Sequence, residues 1–405
     1  MIIEGHFVNY DNSFFGQVKL NEQGIIEKIG YDLGEPNLKY NDDILIFPGF
    51  IDVHVHCRED ESRKQNYKED YRTASEAAIN GGVVYICDMP NNPTAPITKE
   101  SYLTKKELTK KAKIPVTLYA GIGPDTSPID LTVPYKVFMG PSVGDLFFST
   151  NEELEKVISR YAGKNISFHC EDPVILEQNK DQPTHGEKRP PEAEIKAIEF
   201  ALELIEKYNL SGKICHVSTK KGMERIIDAK KRGVNVLCEA TPHHLFFSED
   251  DLNESNRKFL QMNPPIRKKE DCDFLIESIK EGYVDFIATD HAPHTLEEKQ
   301  NGMSGVSHID AYSAFALWLI KEKEVSPATI SRICSYSGGL FVNQYNDLKF
   351  GKIAEGYAGA FTIIDPNKKF TFSKENVKSK CGWSCFEGIE FEGNVVNTIL
   401  AENKK

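Results

Sequence analysis

Several things are missing from this chain, and each absence excludes something. No apolar stretch approaches the roughly 18 residues of a membrane span; the longest, around residues 314–320, reads as a buried helix. The amino end, Met1-Ile2-Ile3-Glu4-Gly5-His6, has neither the basic region nor the apolar segment of a secretory signal. Basic residues are in the minority. The 49 Lys+Arg against 61 Asp+Glu leave a formal charge of −12 over 405 residues, which argues against nucleic acid and anionic membranes as partners, because both select a basic face. Cysteine is present but unorganised: nine, an odd number without framework spacing, which points to a reducing cytoplasmic setting. No low-complexity tract or charge block occurs, and no glycine-rich dinucleotide loop follows the first strand-like run, which weighs against a doubly wound nucleotide-binding sheet. What remains is an ordinary globular composition, 40% hydrophobic and 27% charged, with chain enough for one large domain and a smaller one.

Short apolar runs rich in β-branched and aromatic residues recur at 47–57, 83–89, 116–122, 136–139, 166–170, 214–218, 234–239 and 285–290. Near-continuous apolar runs suit parallel strands buried on both faces. Helical stretches at 68–80, 98–111, 149–161, 192–208, 220–232, 269–281 and 308–323 lie among them, the first halting at Gly81-Gly82. This alternation predicts an α/β fold, a (β/α)8 TIM-like barrel. Residues 1–46 and 347–405 look different, with short alternating strands and turns. They predict a small β-sandwich domain formed by both chain ends, with the barrel at 47–346 inserted between them and the termini close together.

The chemistry concentrates at the predicted strand ends. His54 and His56 stand at i and i+2 on the first strand and so share a face. At the top of a barrel they can hold one metal ion; on an edge strand they are two ordinary polar residues. His169, His216 and Asp290 each close a later strand, at the face where barrel enzymes keep their active sites. Four imidazoles and a carboxylate converging there suit one or two borderline ions such as Zn²⁺. Lys136 opens another apolar strand. Facing inward it is costly unless paired or modified; it can instead snorkel outward, and spacing leaves both open.

The segments His54-Val55-His56-Cys57-Arg58-Glu59, Asp88-Met89-Pro90-Asn91, Thr241-Pro242-His243-His244-Leu245, Met262-Asn263-Pro264-Pro265-Ile266-Arg267, Ala288-Thr289-Asp290-His291-Ala292-Pro293-His294 and Lys380-Cys381-Gly382-Trp383-Ser384 follow in that order. Together they make the chain resemble, over essentially its whole length, the dihydroorotases of the cyclic amidohydrolase superfamily. The resemblance implies reversible, zinc-dependent interconversion of (S)-dihydroorotate and N-carbamoyl-L-aspartate in pyrimidine biosynthesis. It implies two Zn²⁺ ions per subunit, with His54, His56 and Asp290 on the first and His169 and His216 on the second. Lys136 would bridge them as a carboxylated lysine, an anionic oxygen ligand, with Asp145 as the fallback bridge. Asp290 would also move the proton. A homodimer is the family-level expectation.

Substrate choice falls to Arg58, Asn91, Asn263 and His294. A guanidinium directly after the first ligands can grip a carboxylate bidentately, shared by Asn91 and His294, while Asn263 binds the ring. The bland alternative for Arg58 is a surface salt bridge with Glu59, Asp60 or Glu61. Gly302, in the loop after the eighth strand, is a candidate backbone contact. His243 and His244 read as structural because Pro242 signals a turn, and His6, His185 and His308 have no motif around them. Cys381 and Cys385 are too few for a zinc ribbon and fall in the small β domain. The chain departs from the family pattern at Cys57, at Asp60-Glu61 and at Gly305-Val306-Ser307, where Leu, Pro-Gly and Gly-Leu-Glu are usual; these positions affect substrate grip, not the metal set. The competing readings are a hydantoinase- or allantoinase-like enzyme, whose rings lack the carboxylate, and an inactive scaffold relative, which would have lost ligands.

Overall fold

The computed structural model describes residues 1–141 and 146–401. Strands Phe50–Val55, Val83–Asp88 and Val116–Leu118 form one arc of a barrel. Ala120–Ile122, Tyr135–Phe138, Asn165–His169, Ser211–Ile214, Val236–Ala240 and Phe286–Ile287 form the other. Every pairing within the arcs is parallel. The arcs share the third strand, interrupted at Tyr119, whose hydroxyl donates to Val53 O at 3.0 Å. The other seam closes where His56 N donates to His291 O at 2.8 Å and the Asp52 carboxylate accepts from Thr289 N. Helices cover the outside, as a sheet buried on both faces requires. Pro191–Lys207 buries Ala197, Ile198, Ala201, Leu204 and Ile205, a stripe of 3.6-residue period. One crossover lacks its helix: residues 123–134, between the third and fourth strands, are loop.

Two boundaries depart from the sequence pattern and matter for the site. The first helix, Tyr71–Asn80, starts later than residue 68 because Asp70 caps it, accepting from Thr73 N at 3.0 Å. Lys68 and Glu69 therefore belong to the loop above the barrel. The sixth and eighth strands stop at Ile214 and Ile287, short of 218 and 290. There the chain turns: His216 has φ 34° and Asp290 φ 47°, left-handed conformations that cost a non-glycine residue energy and cluster at functional sites.

The chain ends meet in one seven-stranded sheet. Ile2–Val8 pairs antiparallel with Ser13–Leu20 and parallel with Leu45–Pro48, which pairs antiparallel with Phe361–Asp365. Ile3, Phe7, Val18, Ile46 and Phe361 form its core. Residues 366–393 leave that sheet. Phe370–Thr371 and Glu390–Phe391 make a separate antiparallel pair, and Cys385 N donates to Ser307 O at 3.2 Å. Cys381 and Cys385 thus lie against barrel loops and not in the end sheet. The physical reason is an aromatic cluster: Phe386 and Phe391 pack on Phe246 with ring centroids 5.3 and 6.1 Å away. Among the described residues no helix is long and apolar enough to cross a membrane.

Candidate active site

Strand register brings the donors together at the barrel mouth. His54 and His56 both turn Nε2 toward Asp290, whose Oδ1 lies 3.2 Å from the first and 2.9 Å from the second. The opposite ring nitrogens are tied. His54 Nδ1 lies 2.7 Å from Glu239 Oε2, and His56 Nδ1 lies 2.7 Å from Asn91 Oδ1. A carboxylate or amide oxygen only accepts, so each Nδ1 carries a proton and Nε2 keeps the lone pair that a metal ion could use. Across the cleft, His169 Nδ1 stands 2.9 Å from His216 Nε2, and His169 Nε2 lies 2.8 Å from Glu171 Oε2. Arg189 clamps that carboxylate, with Nε 2.9 Å from Oε1 and Nη2 2.5 Å from Oε2.

The charge balance favours a cation in this space. Burial pulls the His54 imidazole down, but the Glu239 and Asp290 carboxylates outweigh it and its pKa lies well above the usual value. The pocket demands positive charge at that ring, which a proton or a metal ion can supply. Burial would raise Asp290, yet His54 and His56 hold it well below the carboxylate range. Burial keeps His56 (at about 4), His169 and His216 neutral near pH 7, the state in which imidazole is a ligand. Ligand atoms of His54, His216 and Asp290 all lie within 4.8 Å of one another, a span that fits a divalent ion.

Lys136 is fully buried, not snorkelling. Its Nζ lies 2.9 Å from Cys215 Sγ and 5.1 Å from the Phe138 ring centroid. Asp145 lies outside the described residues. Arg58 is buried as well, which removes the surface salt bridge. It has φ 61°, donates Nε to Pro293 O at 3.1 Å, and places Nη2 3.1 Å from His294 Nε2. Asn263 Oδ1 is buried with no hydrogen-bond partner among the described residues, a deficit on the order of 1–3 kcal/mol that a ligand N–H would offset. His54, His56, Arg58, Asn91, His169, His216, Asn263 and Asp290, with Phe138, Ala292, Ser304 and Gly305, line an open cleft of about 370 Å³ counting the space at its mouth; Lys136 and His294 stand behind this lining.

Gly302 is not on that wall. Its N donates to Lys299 O at 2.9 Å and its carbonyl accepts from Gln261 Nε2. The loop reaches the cleft through Ser304 and Gly305. Gly305 has φ 136°, and a Cβ there would sit 2.6 Å from Ala292 O, so only glycine fits. Lys299, completely buried, fastens the loop by donating to Gln261 O, Met303 O and Gly305 O at 2.8, 2.8 and 2.7 Å. His243 and His244 are buried and do not line the cleft; they are bonded to His308 at 3.0 Å and to Thr241 Oγ1 and Pro264 O at 2.7 and 2.9 Å. Pro242 opens a short helix, Pro242–Phe246, in place of the expected turn.

Sequence reasoning missed the groups behind the donors. Glu239 ends an otherwise apolar strand and is ion-paired with Lys213, whose Nζ lies 5.3 to 5.8 Å from the ring centroids of Tyr119, Phe286 and Phe341. Burial would raise the Glu239 carboxyl, but Lys213 and His54 hold it at about 2. A charge inside an apolar run was the available signal, for Glu239 as for Lys136.

Residues 45–128 match the amidohydrolase family. The dihydroorotase of Pyrococcus furiosus is 31% identical over 404 residues, covering 99% of this chain and 91% of its own. The chain belongs to the dihydroorotase family of amidohydrolases. Another dihydroorotase, from Methanosphaera stadtmanae, is 31% identical over 410 residues, covering 94% of this chain and 91% of its own. Solved structures share the architecture of this family member. An L-hydantoinase from Arthrobacter aurescens superposes with a TM-score of 0.89 at 22% identity, covering 99% of this chain and 95% of its own. A dihydropyrimidinase from Brevibacillus agri gives 0.87 at 21%, covering 99% and 93%. At such identities the likeness concerns the fold.

Proposed function

We propose that the protein is a dihydroorotase, interconverting (S)-dihydroorotate and N-carbamoyl-L-aspartate on the route to UMP. The observation that carries this reading is Arg58, a buried guanidinium held beside the donor cluster and facing His294. A ring bearing a carboxylate needs such a group, and a hydantoin or allantoin ring does not. His54, His56 and Asp290 would hold one Zn²⁺ ion, His169 and His216 a second, with Lys136 between them as its carbamate. Bound there, the two ions supply Lewis acidity toward the ring amide carbonyl and acidify water.

The chain's own groups do the rest. Arg58 and His294 bind the ring carboxylate, and Asn263 Oδ1 accepts from a ring N–H. Asp290, ionised, takes the proton leaving the attacking water and delivers it to the ring nitrogen as the C–N bond breaks. In the reverse direction the same carboxylate takes the proton from the carbamoyl nitrogen as that nitrogen closes on the carboxyl carbon and water departs. The reading also takes residues 47–346 as the catalytic barrel and 1–46 with 347–405 as the end domain, apart from the segment 366–393 that packs on the barrel, and a cytoplasmic homodimer. Purified protein assayed on dihydroorotate, hydantoin and allantoin, with its zinc content measured, tests the proposal. Turnover of dihydroorotate is expected; turnover of another ring without it overturns the assignment.

A further inference from the structure

His294 is fully buried, and a cationic side chain lies within hydrogen-bond distance of each ring nitrogen, while the Glu298 carboxylate, 3.6 Å from Nδ1, lies beyond that distance. Arg58 Nη2 lies 3.1 Å from Nε2, and Lys68 Nζ lies 3.2 Å from Nδ1. A neutral imidazole offers one acceptor and one N–H, whereas guanidinium and ammonium groups only donate. One of these contacts is therefore a hydrogen bond, and the other sets two donors against each other. Burial, Arg58 and Lys68 together push the ring's pKa down, so a second ring proton does not change the count.

The anchoring of the two cations decides which contact is which. Lys68 Nζ is fixed 2.9 Å from Glu298 Oε1. That carboxylate also accepts from the Tyr67 hydroxyl at 2.6 Å and takes part in the capping box begun by Thr295. Lys68 thus bonds the loop after the first strand to the loop after the eighth, the two loops that carry Arg58 and His294. Arg58 donates Nε to Pro293 O, and its side chain lines the cleft. We infer that Lys68 is a positioning residue: its ammonium occupies His294 Nδ1 and places the ring proton on Nε2. His294 Nε2–H and Arg58 Nη2–H then stand 3.1 Å apart, two donors converging on one acceptor. The pair is mutually repulsive until a carboxylate oxygen enters, so the site selects rings that carry one. This deepens the dihydroorotase reading and rests on it.

Three measurements on the zinc-loaded enzyme test the inference. Long-range ¹H–¹⁵N spectra, with His294 assigned through His294→Gln, are expected to show the Nε2–H tautomer in the wild type and Nδ1–H in Lys68→Met. Lys68→Met is expected to raise KM for dihydroorotate tenfold or more while kcat stays within threefold, because the lost contact orients binding and not the reacting atoms. Lys68→Arg, which can still donate to Nδ1, is expected to recover most of the affinity. A wild-type Nδ1–H tautomer, or a folded Lys68→Met with unchanged KM, overturns the inference. If Lys68→Met fails to fold, the wild-type spectrum and the milder Glu298→Gln, expected to raise KM by a smaller factor, decide. If the wild type does not turn over dihydroorotate, the functional reading fails, while the tautomer still reports on Lys68 separately.

Discussion

One wall of the cleft is built from strand ends. His54, His56, His169, His216 and Asp290 emerge from the barrel itself, and the carboxylates that orient them, Glu239 and Glu171, sit on or beside the strands. The other wall is built from loops. Arg58, Asn263, His294 and Gly305 lie on loops; Trp383 and Lys299 bond to His294 O and Gly305 O, and the Lys68–Glu298 pair joins the loops of Arg58 and His294. The first wall inherits its position from the barrel strands, whose ladders end just before the turns that carry His216 and Asp290. The second has to be fastened piece by piece. A barrel can therefore keep one reaction centre while its loops change which ring is accepted.

If that division holds, breaking the strand-end wall should stop the chemistry, and breaking the loop wall should alter affinity. Lys136→Ala carries the largest expected effect. If Lys136 is the proposed bridge, its loss forfeits several kcal/mol of transition-state stabilisation, a rate loss of roughly a thousandfold or more, with zinc per subunit falling in the same preparation. A fully active Lys136→Ala would move the bridging role elsewhere, and Asp145 would be the residue to test.

Arg58→Met should break the loop wall alone. A hydrogen bond to a charged group contributes about 1.5–3 kcal/mol, or roughly 10- to 150-fold in kcat/KM for dihydroorotate. Zinc content should be unchanged. Loss of zinc in this variant would show that the two walls are not independent.

Glu239→Gln sharpens the comparison from the other side, since Glu239 touches no substrate. Neutralising the partner of a proposed metal-ligating histidine should weaken metal binding, up to the roughly 10- to 100-fold seen when such a partner is lost, which a chelator titration reads. It also leaves Lys213 buried and unpaired, a loss of about 3–5 kcal/mol. Lys213→Met in the same chain should recover stability without recovering zinc affinity. The native Glu239 carboxyl sits at about 2, below its unfolded value of about 4.5. The unfolded chain therefore binds the proton first, and stability falls as pH drops through that window. Acid unfolding of chelator-treated protein should be correspondingly flatter in Glu239→Gln.

The same division explains what could be read from the sequence. The gathering of these side chains at the strand ends was legible because period and register are local properties: the His54/His56 spacing and the closing positions of His169 and Asp290 need no knowledge of distant contacts. Lys136 stayed ambiguous because an inward and an outward lysine look alike until burial is known. Glu239 and Lys213 were missed because their pairing is made across neighbouring strands inside the barrel. Gly302 and Gly305 both have positive φ, so composition could not tell which one faces the cleft; Lys299 and Gln261 decide that. The helix start moved from 68 to 71 because Asp70 outcompetes the charged residues around it as a cap. The path of residues 378–386 onto the barrel depends on aromatic contacts far apart in the chain.

That segment supports the smallest prediction. Trp383 belongs by sequence to the carboxyl-terminal part, yet its Nε1 donates to His294 O at 2.7 Å, and its ring packs against Phe259 at 5.8 Å between centroids. Trp383→Phe keeps an aromatic ring in place and removes only the donor. The expected loss is about 1 kcal/mol, a roughly fivefold rise in KM for dihydroorotate, with kcat, zinc content and melting temperature nearly unchanged. A larger fall in melting temperature than in affinity would mean that Trp383 holds the segment to the barrel rather than His294 to the substrate. A fall in zinc content would mean that the loop wall reaches the strand ends, and the separation between reaction centre and ring selection would then be incomplete.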